Sequence, residues 1–303
     1  MAKRHSEAAV RETPAGLVES LERGLAILSL YDEEATELGV GEMARALGVH
    51  RSTASRLAAT LSRRGFLVPS GEQGRYLLGA SLVRLGSLAA RQVDVRSAAL
   101  GPLREMVDAL GETAHLGVLQ GSEVVTDLLV DGWHSVRFHS TVGKRSPAHC
   151  SAMGKMLLSA LDDGELEALF GRGPLEVRTR KTIRSLPALR RELAAARRRG
   201  YVVDDEELEV GLRCVAAPVF DYSGRMVAAV SVSGPVGRLD GRAMDDAIDA
   251  VQRTAAAISA RLGARDGSLA SRAGAPAAVE AAPAGRRRRA AHSLPSVTGA
   301  DAG

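Results

Sequence analysis

Three side chains with reactive atoms, Cys214, Ser231 and Ser233, stand in the stretch VGLRCVAAPVFDYSGRMVAAVSVSGP, which runs from Val210 to Pro235. A thiol near two hydroxyls admits three chemistries: nucleophilic catalysis, a redox switch, or hydrogen bonding at the floor of a pocket. Two apolar runs flank the turn Asp221-Tyr222-Ser223-Gly224, which is a β-hairpin pattern. Regular pairing across a four-residue turn sets Phe220 opposite Arg225 and therefore Cys214 opposite Ser231. Ser233 shares that face, because strand side chains repeat every two residues. Ala216 and Ala229 border the three polar groups, so the face is small and leaves space above it. A one-residue bulge would move the whole set to the other face.

Each chemistry makes its own demand on the sequence. A serine hydrolase needs a G-x-S-x-G elbow, and neither serine sits in one. His134, His139, His149, Cys150 and Cys214 lack the paired spacing of metal ligands. The segment MGKM lacks the upstream glycine of a phosphate loop. The reading is therefore of no catalytic residue, no metal and no cofactor. Small residues also allow close packing of a helix on a sheet, and a free cysteine often serves only as a small core residue. The serines fit that packing role less well, since buried hydroxyls need partners. A redox pair of Cys150 and Cys214 stays open.

A second constellation lies upstream. HRSTASRLAATLSRRG reads as a helix with Ala54, Leu57, Ala58 and Leu61 on its inward face. Ser52, Arg56, Ala59 and Arg63 then face outward, flanked by Thr53 and Ser55. Short hydroxyl side chains let such a helix approach a major groove, where arginine reaches guanine O6 and N7. Six arginines against one acid between Arg45 and Arg75 give a local charge of +5, although the whole chain carries only +4. Arg51, Ser52, Thr53, Ser55, Arg56 and Arg63 are the expected DNA contacts, with Arg75 set to meet phosphates. A solvated helix face is the bland alternative for any single arginine.

The surrounding elements fit this arrangement. VESLERGLAILSLYDE reads as a first helix with Ser20 as its cap, and VGEMARALGV as a second, stopped by Gly48. FLVPSGEQGRYLLG reads as a hairpin with a flexible tip. Three short helices and a hairpin make a winged helix-turn-helix. ASLVRLGSLAARQ is a linking helix. From about Leu100 a larger unit begins, with a helix and then the strand-like runs TAHLGVLQ, EVVTDLLVD and SVRFHSTVG. Helices follow at HCSAMGKMLLSAL, DGELEALF and LPALRRELAAARRRG, then the hairpin, then a helix over about Gly241–Leu262. The pattern is α+β with an antiparallel sheet. Residues 1–16 read as a flexible arm, 17–80 as the DNA-binding domain, 81–97 as a linker, 98–263 as the second domain, and 264–303 as a disordered tail holding the Arg286–Arg289 run. Two cysteines and no signal peptide point to a reducing cytoplasm. No apolar run reaches the ~18 residues of a membrane helix, and aromatic content of 3% argues against stacking on single strands.

Several segments taken together carry a resemblance. In order they are HRSTASRLAATLSRRGFL, GRYLLGASLVRLGSLA, VGKRSPAHCSAMGKMLLSAL and LRRELAAARRRGYVVDDEELEVGLRCVAAPVFDYSGRMVAAVSVSGP. Over about Glu19–Leu262 the chain resembles the IclR family of bacterial transcriptional regulators. That resemblance implies a winged helix-turn-helix joined by a linker helix to a PAS/GAF-like α/β effector-binding domain with antiparallel sheet. It implies a double-stranded, palindromic DNA operator and a homodimer or homotetramer. It also implies a small effector, a carboxylate, held by the backbone of Ala152 and Met153 and the side chains of Asp204, Cys214, Ser231 and Ser233. Where the family often has a small residue this chain has Met153, which should reshape the pocket. Trp133 and Phe138 are candidate walls or ordinary core. Repression is the commoner family role, and the hairpin wording resembles members governing allantoin or glyoxylate use. The alternatives are a redox regulator using Cys214, or a cysteine enzyme on a GAF-like domain.

Overall fold

The computed structural model describes residues 18–264, apart from 33, 72, 73 and 93, with only the backbone of 90–92. The arm at 1–16, the hairpin tip at Glu72 and Gln73, and nearly all of the tail at 264–303 lie outside the described residues. The chain divides into two compact units at Asp94/Val95.

In the first unit, helices α1 (Glu19–Leu28), α2 (Val40–Leu47) and α3 (Arg51–Arg63) bury Ile27, Met43, Leu47, Ala54 and Ala58 in one core. The first helix starts two residues earlier than its sequence suggests. Val18 is its cap, and the Val18 carbonyl accepts from the N–H groups of Leu21 and Glu22, so Ser20 lies inside the first turn. Gly48 stops α2 at φ +63°, a left-handed conformation that glycine adopts without strain. Strands β2 (Leu67–Pro69) and β3 (Arg75–Leu78) form the wing, and an unanticipated strand β1 (Glu37–Gly39) pairs with the far edge of β3. Helix α4 (Ala80–Gln92) follows the wing.

The second unit is a six-stranded antiparallel sheet of order β6-β5-β4-β9-β8-β7. Its strands are β4 (Thr113–Gln120), β5 (Glu123–Val130), β6 (Arg145–Pro147), β7 (Val202–Asp205), β8 (Leu212–Phe220) and β9 (Met226–Pro235). One face packs on helices α5 (Val95–Leu110) and α9 (Gly241–Arg261) through Leu103, Leu116, Val215, Val230, Val232, Val251 and Ile258. The other face is covered by the short helix α6 (Ala152–Leu158), with α7 (Asp163–Phe170) and α8 (Leu186–Arg199) beyond it.

The segment SVRFHSTVG is not a strand. Its polar–apolar alternation imitates one, but the edge of β5 is taken by Arg145–Pro147, and Phe138, His139 and Ser140 turn instead toward a hollow over the sheet. Among the described residues, no helix is long and apolar enough to cross a membrane.

Candidate functional site

The hairpin that carries the reactive side chains is paired two residues away from simple expectation. Phe220 lies opposite Met226, not Arg225, because the loop holds five residues; its closing bond runs from Asp221 N–H to the Arg225 carbonyl at 3.0 Å. A bulge between Val219 and Phe220 then adds a second one-residue shift. Two shifts restore the parity that one would have destroyed. Cys214 therefore opposes Ser233, and Ser231 opposes Ala216, with all three polar groups still on one face.

The pairing extends that face across the sheet. Asp204 pairs with Cys214, Cys214 with Ser233, and Ser233 with Thr113, which makes one continuous polar row. The next row on the same face is Val202, Ala216, Ser231 and His115. Beyond it Ala229 pairs with Gly117, and Gly117 with Thr126. Above these rows lies a hollow of about 60 Å³, space for roughly two waters at their liquid volume.

Ala152, Met153, Asp204, Cys214, Ser231 and Ser233 all line this hollow. Phe138 does too, but Trp133 does not: it is 66% exposed and lies beside His134, with ring centroids 4.2 Å apart. Both aromatic and imidazole rest on Gly111, where a Cβ would come within 2.7 Å of either ring. Met153 narrows the hollow and is accommodated by Gly117, whose missing Cβ would stand 2.9 Å from the Met153 sulfur. Helix α6 begins at Ser151, whose hydroxyl accepts from Gly154 N–H at 3.3 Å. Gly154 itself cannot carry a Cβ without reaching 2.3 Å from the Ala148 Cα, so glycine sets how closely α6 approaches the preceding turn.

Sequence reading missed His115, Thr126 and Lys144, which also line the hollow. The alternation in TAHLGVLQ does put Thr113, His115 and Gly117 on one side. What the sequence lacks is the pairing of His115 with Ser231, 116 positions away along the chain.

Two polar atoms on this wall are buried without partners among the described residues: His115 Nδ1 and Asp204 Oδ2. A buried polar atom left unpaired costs about 1–3 kcal/mol, so each one needs a ligand, a water or another group to complete it. Burial drops the His115 imidazole to a pKa of about 4, with the nearby Lys144 charge adding to the effect. Burial pushes the Asp204 carboxyl up to about 7, against the opposing pull of the Glu207 N–H and of Lys155. The turn after β7 holds Asp204 in place. Its Oδ1 accepts from Glu207 N–H at 2.7 Å and Leu208 N–H at 3.3 Å. Lys155, fully buried on α6, donates to the Val203 carbonyl at 2.7 Å and to the Glu207 carboxylate.

Both thiols are poor nucleophiles in this setting. Burial, aided by the Asp204 charge, raises Cys150 to about 12 and raises Cys214 as well. The thiolate is the reactive form of cysteine, and burial suppresses it. Among the described residues, no group of three or more His, Cys, Asp or Glu side chains is placed to hold a metal ion.

On the first unit, α3 presents Arg51, Ser52, Ser55, Arg56 and Arg63 outward, while Thr53 is half-buried. The Ser52 hydroxyl lies 2.8 Å from His50 Nδ1, so it is already engaged in capping. No acid interrupts the helix. Arg75 departs from expectation. Its guanidinium lies 3.4 Å from the carboxylates of both Glu37 and Glu42 and donates to the Glu37 carbonyl at 3.1 Å, which ties the wing to β1 and α2.

A helix-turn-helix with a wing is followed along the chain by an antiparallel-sheet unit that carries a polar hollow. A model of the bacterial transcriptional regulator IclR C-terminal domain matches residues 87–260, and a model of the IclR helix-turn-helix domain matches residues 20–71. The HTH-type transcriptional regulator XynR of Escherichia coli (strain K12) is 36% identical over 247 residues, covering 82% of this chain and 98% of that protein. Transcriptional repressor IclR of the same organism is 35% identical over 242 residues, covering 78% and 88%. The crystal structure of the Agrobacterium tumefaciens repressor BlcR superposes with a TM-score of 0.70 at 30% identity, covering 82% of this chain and 99% of that one. The chain belongs to the IclR family, whose members are transcriptional regulators and not enzymes.

Proposed function

We propose that this regulator is a repressor whose grip on a palindromic DNA operator is set by a small organic acid bound over the polar sheet face. It works in the cytoplasm as a homodimer or homotetramer, and the recognition helices of two protomers enter successive major grooves. Arg51, Thr53, Ser55, Arg56 and Arg63 are the reading residues, with Ser52 supporting the helix start. Arg75 leaves this set, because its carboxylate partners already occupy it. In the second unit, the hydroxyls of Ser231 and Ser233, the Cys214 thiol, Asp204 and the backbone of Ala152 and Met153 hold the effector. Occupancy biases α4, and through it the spacing of the readers. A catabolic operon, such as one for allantoin or glyoxylate use, is the kind of target that fits.

One observation carries this reading: six residues from four separate segments converge on a single hollow whose wall contains two buried, unpartnered polar atoms. A ligand with polar groups that entered the hollow would complete them. The raised thiols weigh against the redox and cysteine-enzyme alternatives.

Duplexes selected from a random pool by the full chain supply the operator for a test. Arg56→Ala should then weaken binding to the selected duplex by about 1–3 kcal/mol and leave binding to random duplex nearly unchanged. An unaltered preference for the selected sequence would remove Arg56 from the reading face.

A further inference from the structure

This inference rests on the carboxylate reading above and concerns what must accompany the acid. Asp204 is fully buried, its Oδ1 is occupied by two backbone N–H groups, and its Oδ2 points at no partner. The buried cation nearest to it, Lys155, is already committed to Glu207 and the Val203 carbonyl. Among the other charged or titratable groups facing it, Lys144 bears the charge that would offset a second anion, but it does so from a solvent-exposed position. Glu207 and Glu209 in the turn after β7 are acidic. Cys214 on β8 and Cys150 before α6 are protonated thiols, and His115 on β4 is a neutral imidazole. Lys144 and His139 lie on the exposed rim.

A ligand carboxylate in so small a space would face the Asp204 carboxylate across a low-dielectric gap. Two such groups do not both stay ionised there. One proton shared between them converts repulsion into a short O–H···O⁻ hydrogen bond and satisfies the unpartnered oxygen.

We propose that the hollow takes up its carboxylate together with one proton from solvent, held on Asp204, so that Oδ2–H donates to the ligand. No bond is broken other than that of the proton to water or buffer, and where Asp204 is ionised beforehand the net charge of the site does not change on binding. The regulator then responds to the product of acid and proton concentrations, and a given level of effector acts more strongly as the cell acidifies. The free carboxyl, raised by burial to about 7, is already half-protonated near neutrality, so the uptake is small below that pH and approaches one above it.

Isothermal titration of the full chain with glycolate, lactate and pyruvate at pH 6, 7 and 8, in two buffers of unlike ionisation enthalpy, tests this. The expected uptake is about 0.1, 0.5 and 0.9 protons per ligand, with Kd rising about fivefold from pH 7 to 8 and levelling off below pH 7. Asp204→Asn keeps an oxygen for the two backbone donors and presents an N–H where the acid O–H stood. It should bind the same probe with a Kd that no longer depends on pH and with no proton uptake. A purely structural Asp204 would instead weaken the variant equally at every pH. Zero uptake by the wild-type chain across this range overturns the proposal, whether or not the variant folds. Uptake that persists in Asp204→Asn also overturns it, by putting the proton on His115. If none of the acids gives a saturating isotherm, the carboxylate reading falls, and this proposal falls with it.

Discussion

The two faces of the six-stranded sheet are made by the same strands and differ in almost everything else. On one face Val203, Val215, Val232, Ala114 and Val130 run side by side across the sheet against α5 and α9. One residue further along each strand, on the other face, the row reads Asp204, Cys214, Ser233 and Thr113. The branched aliphatic row excludes water and supplies stability, at roughly 25 cal/mol per Å² of apolar surface buried. The small polar row stabilises little; it leaves a hollow, and it leaves two polar atoms unmatched. Alternation along a strand thus lets one sheet keep a rigid core and an unsatisfied site only a side chain's reach apart.

The comparison can be broken first from the apolar side. Leu116 is fully buried between the sheet and the helices. Leu116→Ala should lower the stability of the second unit by about 2–5 kcal/mol, measured by urea unfolding, because both burial and packing are lost. A cost near zero would mean that this face is not the stabilising one.

The polar face should show itself through pH. The Asp204 carboxyl is raised from 3.8 to about 7 in the fold, so its contribution to stability is present below about pH 4 and is lost as pH rises to 7. The His115 imidazole is lowered from 6.5 to about 4, so its contribution is present above pH 6.5 and is lost as pH falls to 4. In the parent chain the two trends oppose each other over nearly the same window. Asp204→Asn removes one of them. The stability of this variant relative to the parent should therefore climb between pH 4 and 7, by on the order of 4 kcal/mol. Urea unfolding at several pH values measures the climb, and a flat difference would show that Asp204 does not titrate in the fold.

Much of this was legible in the sequence, for reasons that also mark where legibility stopped. The apolar spacing in RSTASRLAATLSR defines α3 and its buried Ala54 and Ala58, and Gly48 punctuates the turn before it. The small polar set on β8 and β9 followed from strand parity, which survived because the longer loop and the bulge cancelled. Exact partners did not follow, since neither a five-residue loop nor a bulge leaves a signature in DYSGR. Alternation misled at SVRFHSTVG, which lies outside the sheet and sends Phe138, His139 and Ser140 to the hollow. His115 joined the hollow's lining only through a long-range pairing, and Arg75 is paired with carboxylates on β1 and α2. These are tertiary facts, and a local pattern cannot carry them.

The smallest effect on stability should come from the residue with most to say about the site. Ser231→Ala is expected to change unfolding free energy by about 1 kcal/mol or less. The deciding measurement compares thermal or urea unfolding of the parent, Leu116→Ala and Ser231→Ala, each with and without a small carboxylate at about 100 times the parent's Kd. Binding at that level stabilises the parent by about 2.7 kcal/mol. The account predicts that Leu116→Ala, though weakened, keeps this increment in full, and that Ser231→Ala, though stable, loses most of it. The reverse pattern, or an undiminished increment in Ser231→Ala, would contradict the division between a stabilising face and a sensing face.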